Sequence, residues 1–109
     1  MEFWKDIKGY EGLYQISNLG RVLNVKRNKI KSLGYERYAK TILCKYNIKT
    51  NISIHKLVAE AFIDNPNDYK VVMHLDNNTY NNNVSNLKWG TQSMNIQQSI
   101  TEGRFRKSY

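Results

Sequence analysis

The sequence predicts an α+β fold: a small antiparallel β-sheet module, then a helix, then a compact strand–loop–strand–helix unit. Three observations predict it. Short apolar alternations broken by Gly and Asn fill the first half of the chain, as short strands joined by tight turns require. At His55 the apolar period changes from two to that of a helix, with Leu57, Val58, Ala61 and Phe62 on one stripe. Beyond it, VVMHL and LKWG bracket the Asn-rich stretch DNNTYNNNVSN, a pair of strands around a polar loop.

The segment WKDIKGYEGLYQISNLGR is punctuated by Gly9, Gly12 and Gly20, and apolar residues recur at Tyr14, Ile16, Val22, Leu23 and Val25. Two or three more strands are expected near residues 29–33, 38–45 and 50–54, with turns at Asn28, at Gly34 and around Asn47. Basic residues alternate there with Ile, Leu and Tyr, which predicts charge gathered on one sheet face. The helix is expected over residues 55–63 and stops at Asn65-Pro66, because a residue before proline is pushed out of helical geometry. VVMHL is then a strand at residues 71–75, LKWG a strand at residues 87–90, and Thr91 can cap a helix reaching about Ser99.

With 109 residues, one folding unit is expected, either one compact domain or two very small modules sharing a core. A hydrophobic content of 40% with 12% aromatics is that of a globular chain, so the negative mean hydropathy reflects Asn, Lys and Tyr, not disorder. No apolar run approaches the roughly 18 residues of a membrane span, and the start MEFWKDIKGYEG lacks a basic region followed by an apolar one. The expectation is a soluble, intracellular protein with no membrane partner. Cys44, the single cysteine, excludes a disulfide framework or a Cys-based zinc site; its place in TILCKY predicts a buried core thiol.

Charge is unevenly placed. The net charge is +8, and residues 1–50 hold eleven Lys/Arg against four Asp/Glu, whereas residues 51–109 hold six against five. Between Arg21 and Lys49 nine basic residues face only Glu36. Such a cluster, interleaved with aromatics, fits a polyanion binder; a solvated, solubilising face has the same composition. Arg21, Lys26, Arg27, Lys29, Lys31, Arg37 and Lys40 are the candidate DNA contacts, and the tail from Gly103, with Arg104, Arg106 and Lys107, is a further candidate for touching phosphate.

Phosphodiester cleavage needs a base to activate water, a cation to hold the scissile phosphate, and a group to orient the base. His74 at the end of one strand, Asn86 opening the next, and Asn95 on the first turns of the following helix supply a base, its orienter and a hard oxygen ligand. From the residues alone, His74 fits a structural histidine as readily, and Asn-rich loops are commonly just turns.

VVMHLDNNTYNNNVSNLKWGTQSMN resembles the HNH nuclease signature of phage and intron-encoded nicking homing endonucleases: His, then Asn-Leu-x-Trp, then Asn. ISIHKLVAEAFIDNP resembles the helix that precedes that signature, and WKDIKGYEGLYQISNLGRV resembles the small nuclease-associated modular domain usually found ahead of it. The likeness spans residues 4–99. It implies a modular β-rich basic domain at 1–50, a ββα-metal HNH motif at 51–100 and a basic tail at 101–109. It also implies a metal-dependent DNA endonuclease, nicking one strand, acting in the cytoplasm of a cell that hosts a phage or mobile element. His74 would be the general base, Asn86 would bond near that histidine and fix its ring, and Asn95 would hold Mg²⁺ or Mn²⁺. Asp76, Asn77 and Asn82 would shape the loop, Trp89 would pack beneath the motif, and His55 would be structural or touch phosphate.

Two departures from the family pattern stand out. The residue before the catalytic histidine is typically Asp, Asn or His and supplies a second metal ligand; here it is Met73, whose thioether is a soft, weak ligand for Mg²⁺. Asp76 is the carboxylate that could reach in instead. The alternative is therefore a catalytically weakened HNH scaffold that binds DNA, or a phage-encoded inhibitor that meets an acidic protein partner. Relatives also commonly continue into a C-terminal helical DNA-binding region, and with the sequence stopping at Tyr109 site-specific homing is not expected of this segment.

Overall fold

The computed structural model describes residues 1–93. Among the described residues, nine short strands form three antiparallel sheets around the helix Ile54–Phe62. The first sheet takes β1 (Trp4–Asp6), β2 (Tyr14–Ser17), β3 (Val22–Asn24) and β4 (Lys29–Ile30) in sequential order. β5 (Gly34–Tyr35), β6 (Ala39–Lys45) and β7 (Ile48–Ser53) make the second. α1 (Ile54–Phe62) follows β7 directly, and β8 (Val71–His74) pairs with β9 (Leu87–Gly90) in the third sheet.

Local chemistry explains the turns. Tyr46 and Asn47 both have positive φ, 53° and 62°, as a two-residue hairpin between twisted strands demands. Asn28, at φ 51°, closes the β3–β4 turn in the same way. Helix α1 ends at Phe62, three residues before the Asn65-Pro66 pair, and helical backbone resumes at residues 92–93, just after Thr91.

The core is shared by all three sheets. Ile7, Tyr14, Ile16 and Val22 of the first sheet region and Ala39 and Leu43 of the second meet Ile54, Leu57, Val58 and Ala59 of α1, with Val72 and Leu87 of the third. α1 is therefore the central core helix that its wide apolar stripe predicts.

Three expectations are corrected. Gly34 is not a turn but part of β5, paired with Lys40. Cys44 is exposed: on β6, Thr41 and Leu43 point inward, so strand alternation turns Ile42 and Cys44 outward. The basic residues do not share one sheet face. Lys29 lies on the first sheet, Lys40 on the second, and Arg21, Lys26, Arg27 and Arg37 in turns. The expected helix to Ser99, including Asn95, and the basic tail lie outside the described residues.

Candidate functional site

His74 ends β8, where the chain leaves the sheet for the loop of residues 75–86. Its ring is buried, and Nε2 lies 2.8 Å from the Oδ1 of Asn82. With the amide oxygen facing the ring, Nε2–H is the donor of this bond. Met73 is also buried, at 6% exposure, yet stands apart from the main apolar cluster.

Two further rings enclose the histidine. His55, on the first turn of α1, meets His74 edge to face with ring centroids 5.0 Å apart. Tyr38 stacks near both, 5.0 Å from His55 and 6.4 Å from His74 at 18° to it. His55 is 8% exposed and its Nδ1 is without a hydrogen-bond partner. Burial first, then the neighbouring His74 and Lys56, lower its pKa to about 4. The ring is thus neutral at pH 7 and enclosed, which favours the structural one of its two expected roles over a phosphate contact.

The loop is ordered by asparagine amides. Asn86 closes a short 3-10 turn, Val84–Asn86, immediately before β9. Its Oδ1 accepts from the Asp76 backbone N–H at 3.0 Å, and its Nδ2 donates to Asp76 Oδ1 and to the Asn81 carbonyl, both at 2.9 Å. It braces the two ends of the loop, and the imidazole contact expected of it is made by Asn82. Asp76 also accepts from the Asn78 N–H at 2.8 Å and from Asn81 Nδ2 at 2.8 Å. These donors, led by Asn81, hold its carboxyl below the usual range. Both oxygens thus serve the loop, Oδ1 with two hydrogen bonds and Oδ2 with one. Asn77, at φ 64°, supplies the tight reversal after His74.

The first two sheets hold the same loop from outside. Val84 N–H donates to the Asn18 carbonyl at 2.8 Å, Thr79 Oγ1 to the Arg37 carbonyl at 2.8 Å, and the Tyr80 hydroxyl to the Glu36 carbonyl. Trp89 sends its indole N–H to the Ile63 carbonyl at 3.1 Å, pinning β9 to the end of α1. Apart from Trp89, these contacts have no sequence motif, and Asn82, expected to shape the loop, meets the imidazole itself.

Among the candidate DNA contacts, Lys26, Arg27, Lys29 and Arg37 are exposed, and Lys31 and Lys40 are half-buried. Lys31 lies over the Tyr14 ring at 5.6 Å. Arg21 is paired with Glu2, whose pKa that bond lowers to about 2, and lies 5.7 Å from the Trp4 ring. Among the described residues, no three His, Cys, Asp or Glu side chains gather where they could hold a metal ion, and no helix is long and apolar enough to cross a membrane.

Comparison with known proteins follows the same outline. The NUMOD4 motif matches residues 2–74. The DNA endonuclease I-HmuI of Bacillus phage SP01 is 39% identical over 96% of this chain, and an uncharacterised HNH endonuclease of Acanthamoeba polyphaga mimivirus is 40% identical over 92%. The chain spans 62% of the phage protein and 30% of the mimivirus one. A solved structure of the HNH homing endonuclease I-HmuI, which binds and cleaves DNA, superposes with a TM-score of 0.88 at 38% identity, over 94% of this chain and 60% of that one. The α+β architecture is thus that of an HNH homing endonuclease, and with the NUMOD4 motif matching most of its length, the chain belongs to the NUMOD4 family and is similar to HNH endonucleases.

Proposed function

We propose that this chain is a DNA endonuclease unit of phage or mobile-element type that nicks one strand and depends on a divalent metal ion. The observation that supports it most directly is the buried His74, fixed at a strand end by the Asn82 amide and walled by His55 and Tyr38. A base must be held in one tautomer and one orientation to take a proton from water in line with a phosphate. His74 would accept that proton, its ring held by Asn82 at Nε2.

Labour divides along the chain in this reading. The basic segment 1–50 grips the backbone through Lys26, Arg27, Lys29, Lys31, Arg37 and Lys40, with Arg21 available once phosphate displaces Glu2. The segment 51–100 performs the cleavage, and the tail at 101–109 adds charge. Such contacts position DNA without reading its sequence, and their strength falls with salt. The cytoplasm of a host cell is where a phage nuclease of this kind would meet its substrate.

The Mg²⁺ or Mn²⁺ that this reading calls for finds no complete ligand set among the described residues. Met73 offers sulfur to an ion that prefers oxygen, and the Asp76 carboxylate already accepts three hydrogen bonds within the loop. Asn95, phosphate oxygens and water are the remaining ligands. Met73 also favours a second reading, a weakened HNH scaffold that binds DNA or an acidic protein partner without cutting.

A plasmid-nicking assay with Mg²⁺ or Mn²⁺ separates the two. Metal-dependent nicking by the wild type, lost in His74→Ala, supports the endonuclease. No cleavage by the wild type, with cleavage gained in Met73→Asp, overturns it in favour of the scaffold.

A further inference from the structure

The turn that joins β2 to β3 lies against the residue that holds His74. Gly20 is buried there at φ +87°, and a Cβ on it would fall 2.9 Å from Asn82 Cβ and 3.2 Å from the Asn82 carbonyl oxygen. Only glycine lets the two backbones approach so closely, and only glycine adopts that φ without strain.

The turn is stiff. Ser17, fully buried, accepts at Oγ from the N–H groups of Leu19 and Arg21, at 3.2 and 3.1 Å, while its own N–H donates to the Arg21 carbonyl and its carbonyl accepts from Gly20. Asn18 ties the turn to the N-terminus through Phe3 and Met1, and its carbonyl accepts the Val84 N–H at 2.8 Å. A rigid turn thus touches the loop on both sides of Asn83, by packing at Asn82 and by a hydrogen bond at Val84. Asn82 in turn faces His74 Nε2 at 2.8 Å.

We infer that the Ser17–Arg21 turn is a positioning device for His74: through Gly20 and Asn18 it seats Asn82, and Asn82 fixes the imidazole as its Nε2–H tautomer. Asn82 and Gly20 are positioning residues. The inference rests on His74 being the base for its catalytic consequence, but its structural content does not. In a chain of this architecture, the segment expected to grip DNA also aims the base.

The experiment reads the ring directly. Long-range ¹⁵N–¹H spectra of the full chain report the tautomer and pKa of His74, assigned against His74→Ala. In the wild type the Nε2–H form should dominate. Gly20→Ala drives a Cβ into Asn82, and Asn82→Ala removes the acceptor; both should give a mixed tautomer population. Asn82→Asp keeps an acceptor and should restore Nε2–H while raising the His74 pKa. Val84→Pro removes the hydrogen bond to Asn18 and trades one partly buried apolar side chain for another, and the Asn83 backbone, at φ −63° and ψ 136°, already suits a following proline. It replaces Gly20→Ala as the decisive variant if the latter fails to fold.

Nicking, where the wild type nicks, should fall about 10²-fold in Asn82→Ala, the loss expected when a base is misplaced by about an ångström, and recover in Asn82→Asp with a shifted pH profile. Wild-type tautomer and pKa in folded Val84→Pro and Gly20→Ala would overturn the inference and leave the turn a packing contact only. Absence of nicking by the wild type tests the proposed function alone, since the spectra do not need turnover.

Discussion

Replacing Asn86 with alanine should cost about 2–3 kcal/mol of stability. The side chain is buried and spends its amide on three hydrogen bonds that close the loop between β8 and β9: from the Asp76 N–H, to Asp76 Oδ1 and to the Asn81 carbonyl. Each is worth about 1 kcal/mol net, more where its partner is left buried and unpaired. Water reaches the exposed side of Asp76, which keeps the total at the lower end for that group. A loss of this size in a small domain lowers Tm by about 10–20 °C and the urea midpoint by about 1–2 M. Amide exchange gives the local counterpart, because the Leu75 and Asp76 N–H groups both donate to Asn86 and should lose protection first. Asn86→Asp sharpens the test: it sets a carboxylate oxygen 2.9 Å from Asp76 Oδ1 in place of a donor. It should be worse than alanine at pH 7 and recover as the pH falls and the pair takes up a proton. A cost below about 0.5 kcal/mol for Asn86→Ala, or an Asp variant insensitive to pH, would refute the view that this amide holds the loop together.

Met73→Asp should raise Mn²⁺ affinity measured by isothermal titration and lower stability in the metal-free protein, because it trades a buried thioether for a carboxylate; unchanged affinity would remove Met73 from the metal site. Lys26→Ala with Arg27→Ala should flatten the dependence of log K for duplex DNA on log salt by about 1.8, two phosphate contacts at about 0.9 each; an unchanged slope would take this turn out of the interface. The His55 pKa lies at about 4 in the folded chain against an ordinary value of 6.5. The unfolded chain therefore binds the extra proton first, and stability should be full above about pH 6.5, fall as pH drops towards about 4, and level off below. Urea midpoints across that range should show the fall, and His55→Leu should remove it. Asp76 has the opposite chemistry and a lower window: its depressed pKa stabilises the fold above the ordinary 3.8 and is lost below it, so Asp76→Asn should flatten the acid limb of the same curve.

The elements with strong periodicity were legible. The helix expected over residues 55–63 is Ile54–Phe62, and the strands expected at 71–75 and 87–90 are Val71–His74 and Leu87–Gly90. Parity within apolar runs was not: TILCKY offers apolar residues on both faces, and only the inward placement of Thr41 and Leu43 fixes Cys44 as exposed and Ile42 as 52% exposed. The site shows the same division. His74 and Asn86 stand out by spacing, but which asparagine of DNNTYNNNVSN meets the imidazole depends on a loop path set by positive φ at Asn77 and by amide-to-backbone bonds, which have no period. His55 matches a recurrent histidine of the family's preceding helix and reads as structural or a phosphate contact, because sequence does not show the burial that keeps it neutral.

The same geometry bears on how the chain is divided. We propose that the boundary near residue 50 separates gripping from cutting, and the packing argues that it separates nothing else. α1 draws its apolar partners from both sides of that boundary, so neither part buries its core without the other. The loop after His74 has only a short 3-10 turn of its own; the rest of its order comes from amides and from turns of the first two sheets, at Asn18, Glu36 and Arg37. A loop held from three directions can keep a histidine in one orientation on a two-stranded sheet that would be marginal alone. On the proposed reading, the β-rich part would then supply both charge for DNA and, through turns at Asn18, Glu36 and Arg37, rigidity for the loop that follows His74.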